Sequence, residues 1–118
     1  MFLQLEHQKL DIYQVSRSFV HACYKLSKLL PPEERFAMSQ QLRRAALSVH
    51  LNTAEGASRR TSPERKRFYE IARGSVIEID ALLDIAGDLG YCNKEQMTEL
   101  GNLLVRCFQM LTKLMANG

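Results

Sequence analysis

Four stretches of this chain space apolar residues three and four positions apart, and each is bounded by residues that start or stop a helix. In the first, Ile12, Val15, Phe19, Ala22 and Leu26 fall on one helical stripe. Pro31 and Pro32 stop it. A second helix can begin at Pro32, where a missing backbone N–H is no loss, with Glu33 and Glu34 near its positive end, and it runs to about Ala57. Ser62 as N-cap, Pro63 at the first helical position and Glu64 beside it mark the third start. Phe68, Ala72, Ser75, Ile79, Leu82, Ala86 and Leu89 carry that stripe to Gly90, a residue suited to a left-handed C-cap. The fourth helix opens at Asn93, with Gln96 three residues on as a capping box. Its stripe is Met97, Leu100, Leu104, Cys107, Leu111 and Leu114.

Helices of roughly 17 to 27 residues joined by short turns must run antiparallel to their neighbours, because a short loop cannot return the chain to the far end. The expected fold is all-α, an antiparallel up-down-up-down four-helix bundle, with residues 1–118 as one domain. Three prolines and six glycines leave little room for a disordered tail. No apolar run reaches the roughly 18 residues of a membrane span. The start, MFLQLEHQKLD, lacks the basic-then-apolar pattern of a leader, so no membrane partner is expected and the location is read as cytoplasmic.

Cys23, Cys92 and Cys107 are odd in number and form no C-x-x-C pair, which favours ordinary reduced thiols over disulfides or a zinc knuckle. His7 and His21 have no spaced ligand partners. Neither a metal nor a cofactor is expected.

The second helix carries more apolar surface than one core stripe needs. At 100° per residue, Leu42, Ala45, Ala46, Val49 and Thr53 form one face, while Phe36, Leu47, Leu51 and Ala54 lie about 120° or more away. A partner subunit is the economical occupant of that second face.

The net charge of +3 conceals a lopsided distribution. Between Gln40 and Arg73, Arg43, Arg44, Arg59, Arg60, Arg65, Lys66, Arg67 and Arg73 face only Glu55, Glu64 and Glu70, an excess of +5 that leaves the remainder at −2. Five of these cations flank the turn between helices two and three. Such a cluster is either a solvated charge run or a phosphate-binding patch. Arg65, Lys66 and Arg67 near the positive end of helix three, with Asp84 and Asp88 near its negative end, oppose the helix dipole. An anion bound at that end would offset the cost, although Glu64 and Glu70 can also pair locally. Phe68 belongs to the core stripe, leaving Tyr69 as the candidate for stacking on bases.

His50 shares a helix face with Arg43, and an Arg and His on a helical bundle resemble the motif of HEPN-type ribonucleases. Arg44 and His50 diverge by about 120°, and an alanine follows Arg44, which argues against that chemistry. Asn52, Glu55 and Gly56 read as structural, with Glu55 pairing to Arg59 one turn on and Gly56 clearing space for close packing or the helix end.

The stretch QLRRAALSVHLNTAEGASRR, from Gln41 to Arg60 in its bulk, resembles the four-helix-bundle proteins named for the intervening sequences of 23S ribosomal RNA genes. The similarity continues through Phe68, IARGS at Ile71 to Ser75, Glu78 and LGY at Leu89 to Tyr91. The resemblance implies a bacterial cytoplasmic protein, an up-down bundle and a homo-oligomeric ring, a pentamer in the family's pattern. It also implies RNA binding, or a role like that of similar bundles that serve as accessory subunits of reverse transcriptases. Arg43, Arg44, Asn52, Glu55, Gly56, Arg60, Gly74 and Ser75 match recurring family positions, whereas His50 and Thr53 stand where relatives commonly carry apolar residues.

The leading expectation is a non-enzymatic, oligomeric nucleic-acid-binding protein, with RNA favoured. Arg43, Arg44, Arg59, Arg60, Arg65, Lys66 and Arg67 would contact phosphates, and Phe36, Leu47, Leu51 and Ala54 would form the oligomer interface. No catalytic or metal-binding residue is assigned. The rival is a protein-interaction subunit whose cations dock an acidic partner, and a ribonuclease stands third.

Overall fold

The computed structural model describes residues 2–117, so the two ends of the expected 1–118 span lie outside the described residues. It holds four α-helices: α1 (Asp11–Ser27), α2 (Met38–Ser58), α3 (Ser62–Asp88) and α4 (Lys94–Asn117). Short 3-10 turns at Glu6–Lys9 and Pro32–Glu34 precede α1 and α2, and there is no strand among the described residues.

Packing runs round a square, α1 on α2, α2 on α3, α3 on α4 and α4 back on α1. The α2–α3 pairings show the antiparallel sense. Gln41 meets Glu78, Ser48 meets Ser75, and Gly56 lies against Phe68 and Tyr69, so partner numbers fall as α2 advances. The bundle is 44 × 30 × 24 Å, its long axis close to the ~40 Å of a 27-residue helix.

The core is built largely from the stripes the spacing predicts, joined by Tyr13, Tyr69, Val76 and Leu83 from outside them. Ile12, Val15, Phe19, Ala22 and Leu26 from α1 are all buried, as are Leu42, Ala45, Ala46, Val49 and Thr53 from α2. The Thr53 hydroxyl is tolerated there because it donates to the Val49 carbonyl one turn back, at 2.6 Å. On α3, Leu83 is buried and Leu82 only partly so, and Leu89, just past the helix end, is exposed.

Helix boundaries set by local chemistry match the sequence. Gly90 has φ +76°, and the Gly90 and Tyr91 N–H groups return to Gly87 and Ala86 carbonyls, a Schellman closure of α3. Asn93 and Gln96 form the expected capping box, each side chain accepting from the other's backbone N–H at 2.9 and 2.8 Å.

Two starts differ from expectation. α2 begins at Met38 and not at Pro32, because Pro32–Glu34 forms a separate 3-10 turn and the backbone leaves helical geometry at Ala37 (φ −123°, ψ −99°); the Glu34 carboxylate accepts from the Met38 N–H at 3.3 Å and from the Tyr91 hydroxyl at 2.9 Å. Phe36 therefore sits in the turn before α2, 79% exposed under the Arg35 guanidinium, and does not lie on a helix face with Leu47, Leu51 and Ala54. The cap of α3 is Thr61, one residue earlier than Ser62. Its hydroxyl oxygen accepts from the Glu64 N–H at 3.3 Å and its O–H donates to the Glu64 carboxylate at 2.9 Å.

Candidate nucleic-acid interface at the α2–α3 turn

Only Arg59, Arg60 and Thr61 separate α2 from α3, so the end of one helix and the start of the next must pack at close range. Gly56 permits it. A Cβ there would lie 2.8 Å from Tyr69 Cε1 and 3.0 Å from Phe68 Cβ, inside van der Waals contact. Tyr69 fills the space and is only 3% exposed, with burial raising its hydroxyl pKa, so it is not the free stacking ring the sequence suggests. Phe68 is the half-exposed one, and the Arg59 guanidinium lies over its ring at 4.8 Å from the centroid.

Two of the five turn cations help to build this end. Arg59 is held by Glu55 at 2.6 Å as well as by Phe68. Arg65 reaches back from α3 and donates to the carbonyls of Arg59 at 3.3 Å and Arg60 at 3.0 Å. The turn thus places a cation that opposes the α3 dipole beside the negative end of α2, where it satisfies carbonyls of the residues that follow that helix. That local benefit removes part of the sequence argument for a bound anion. The side chains of Arg60, Lys66 and Arg67 remain exposed, with no side-chain hydrogen bond or ion pair among the described residues.

The structure does not bring Arg43 and Arg44 to this group. They lie near the start of α2, and fifteen residues of helix put Arg44 about 22 Å from Arg59 along the axis. Arg43 is half-buried in a groove with Ser27, Pro31 and Ser39, while Arg44 is exposed. The seven candidate phosphate ligands form two separate sites.

His50 occupies the α1 side of α2. Its Nδ1 lies 2.7 Å from Ser16 Oγ and its ring 4.7 Å from that of Tyr13. Burial, reinforced by Arg17, His21 and His7, lowers its pKa and favours the neutral ring. Arg44 points about 120° away round the same helix, so the two are not assembled into one site. Among the described residues no group of three or more metal-ligating side chains occurs, and no helix is long and apolar enough to cross a membrane. Cys23 and Cys107 are buried thiols pushed up to about 12, principally by burial.

Leu47 and Leu51 are exposed and Ala54 half-buried, as an uncovered second face requires. Sequence reading missed two further features. Ile77, Val105 and Phe108 line an apolar groove between α3 and α4, a signal split across two helices and therefore invisible to a single-helix projection. Ser75 donates to Ser48 Oγ at 2.8 Å and Asn52 Nδ2 donates to the Ser48 carbonyl and hydroxyl, forming a polar cluster on the α2–α3 seam. That cluster gives Asn52 and Ser75 structural work.

A model of the 23S rRNA-intervening sequence protein family matches residues 8–113. No curated protein matches at a significant level. Among solved structures, the chain is similar to a crystal structure of a protein of unknown function from the S23 ribosomal protein family of Bacteroides thetaiotaomicron. The TM-score is 0.81 and the identity 22%, over 88% of this chain and 97% of that one. At that identity the likeness concerns the fold.

Proposed function

Since this chain belongs to the 23S rRNA-intervening sequence protein family, we propose that it is a non-enzymatic, oligomeric RNA-binding protein of the cytoplasm whose α2–α3 turn contacts the phosphate backbone. One observation carries the reading. Among the described residues, Arg60, Lys66 and Arg67 stand exposed at one end of the bundle without anionic partners, whereas Arg59 and Arg65 are committed to holding the turn. Charges kept apart from carboxylates in this way retain their full potential for a polyanion. Assembly into a ring, a pentamer on the family pattern, would repeat the patch and raise avidity without new contacts.

Binding should weaken steeply with salt. If Arg60, Lys66 and Arg67 each neutralise a phosphate, replacing all three with Gln lowers the slope of log affinity against log salt by about 2 for a single strand. A wild-type protein that ignores RNA at low salt, or a triple variant with an unchanged slope, overturns the reading. The apolar α3–α4 groove of Ile77, Val105 and Phe108 favours a second reading, docking of a protein partner. It is tested by replacing Val105 and Phe108 with Ser and measuring complex formation.

A further inference from the structure

We infer that the Arg59–Phe68 pair is a stacking platform for an unpaired base, so that this turn selects single-stranded RNA over duplex. The inference rests on the RNA-binding reading above and specifies what that site recognises.

The Glu55 carboxylate lies 2.6 Å from the Arg59 guanidinium and offsets its charge, which makes Arg59 a poorer phosphate ligand than Arg60, Lys66 or Arg67. The same contact, with Phe68 beneath the guanidinium at 4.8 Å, fixes the group in place. Its side chain is nevertheless 41% exposed, so a surface remains open to solvent. A planar, delocalised, oriented group on a side chain partly open to solvent suits a nucleobase, because bases stack on guanidinium planes as they do on aromatic rings. Little entropy is lost on stacking, since two partners already hold the side chain.

The surroundings complete the site. Arg65 ties down the backbone carbonyls of Arg59 and Arg60, so the platform and its neighbouring cation keep a fixed relation. Gly56 draws α3 close enough for Phe68 to lie under an α2-terminal arginine. Arg60 adjoins the platform in sequence, and Lys66 and Arg67 lie one helical turn into α3, ready for flanking phosphates. A duplex offers the phosphates but keeps its bases stacked inside, so only an unpaired strand can use both parts.

The test compares a labelled RNA strand of A and C alone, which cannot pair with itself, with the duplex it forms with its complement, by fluorescence anisotropy at matched salt. The variant is Arg59→Lys, which keeps the charge but removes the plane. Wild type should prefer the single strand, and the variant should lose about fivefold or more in single-strand affinity beyond any loss for duplex. Equal wild-type affinity for the two RNAs, or equal losses on both in the variant, refutes the platform while leaving RNA binding intact. Absence of binding to either RNA at low salt refutes the RNA reading and the platform with it. An unchanged thermal melt of Arg59→Lys confirms that the fold is preserved.

Discussion

Replacing Gly56 with Ala is expected to destabilise this protein although Ala is the better helix former. The added Cβ would sit 2.8 Å from Tyr69 Cε1, 3.0 Å from Tyr69 Cδ1 and 3.0 Å from Phe68 Cβ. Comfortable carbon contacts begin near 3.5 Å, so the helices must part by roughly half an ångström or more. Neither neighbour yields easily. The Tyr69 ring is buried, and Phe68 Cβ is attached directly to the α3 backbone. Overpacking of this kind costs about 1–3 kcal/mol. The opposing gain in helix propensity is at most about 1 kcal/mol, and less here because Gly56 is two residues from the end of α2. A net loss of about 1 kcal/mol corresponds to a Tm lower by about 3–5 °C in a domain of this size. Gly74→Ala supplies the control. Nothing lies within 4 Å of a Cβ at Gly74, in the interior of α3, so that variant should gain up to about 1 kcal/mol and melt a few degrees higher. Thermal unfolding followed by circular dichroism distinguishes the two signs. If Gly56→Ala melts at or above wild type, the close approach of α2 and α3 is not what requires a glycine there.

Further expectations concern other parts of the bundle. His50 has a folded-state pKa below its unfolded value, so its contribution to stability is complete above about pH 6.5 and is lost as the pH falls through the folded pKa. The decline in Tm from about pH 7 to about pH 5 should be shallower in His50→Gln, and parallel curves would contradict this. Cys23 and Cys107, buried and pushed up to about 12, should resist a thiol reagent in the native protein and react at once in denaturant. Rapid labelling of the native thiols would contradict that burial. Asn93→Ala removes the α4 cap and should cost about 1 kcal/mol in a denaturant titration, whereas a loss near zero would mean the box contributes nothing.

The sequence by itself determined the elements and most of the core, because those depend on interactions between residues three or four apart. The stripe from Ile12 to Leu26, the Gly90 stop and the Asn93–Gln96 box all require nothing beyond the helix that contains them. Tertiary structure decided everything that depends on which helix lies opposite. Phe68 falls on the predicted core stripe, yet Tyr69 is the buried ring, packed against Gly56 on another helix. Arg65 opposes the dipole of its own helix and is accommodated by the Arg59 and Arg60 carbonyls, a relation that depends on how the chain turns between α2 and α3. Arg43 and Arg44, close to the other cations in composition, were separated from them by about 22 Å of rigid helix. Local periodicity fixes a bundle because backbone hydrogen bonds and burial act within each helix, whereas the shape and chemistry of its basic end arise from contacts between helices.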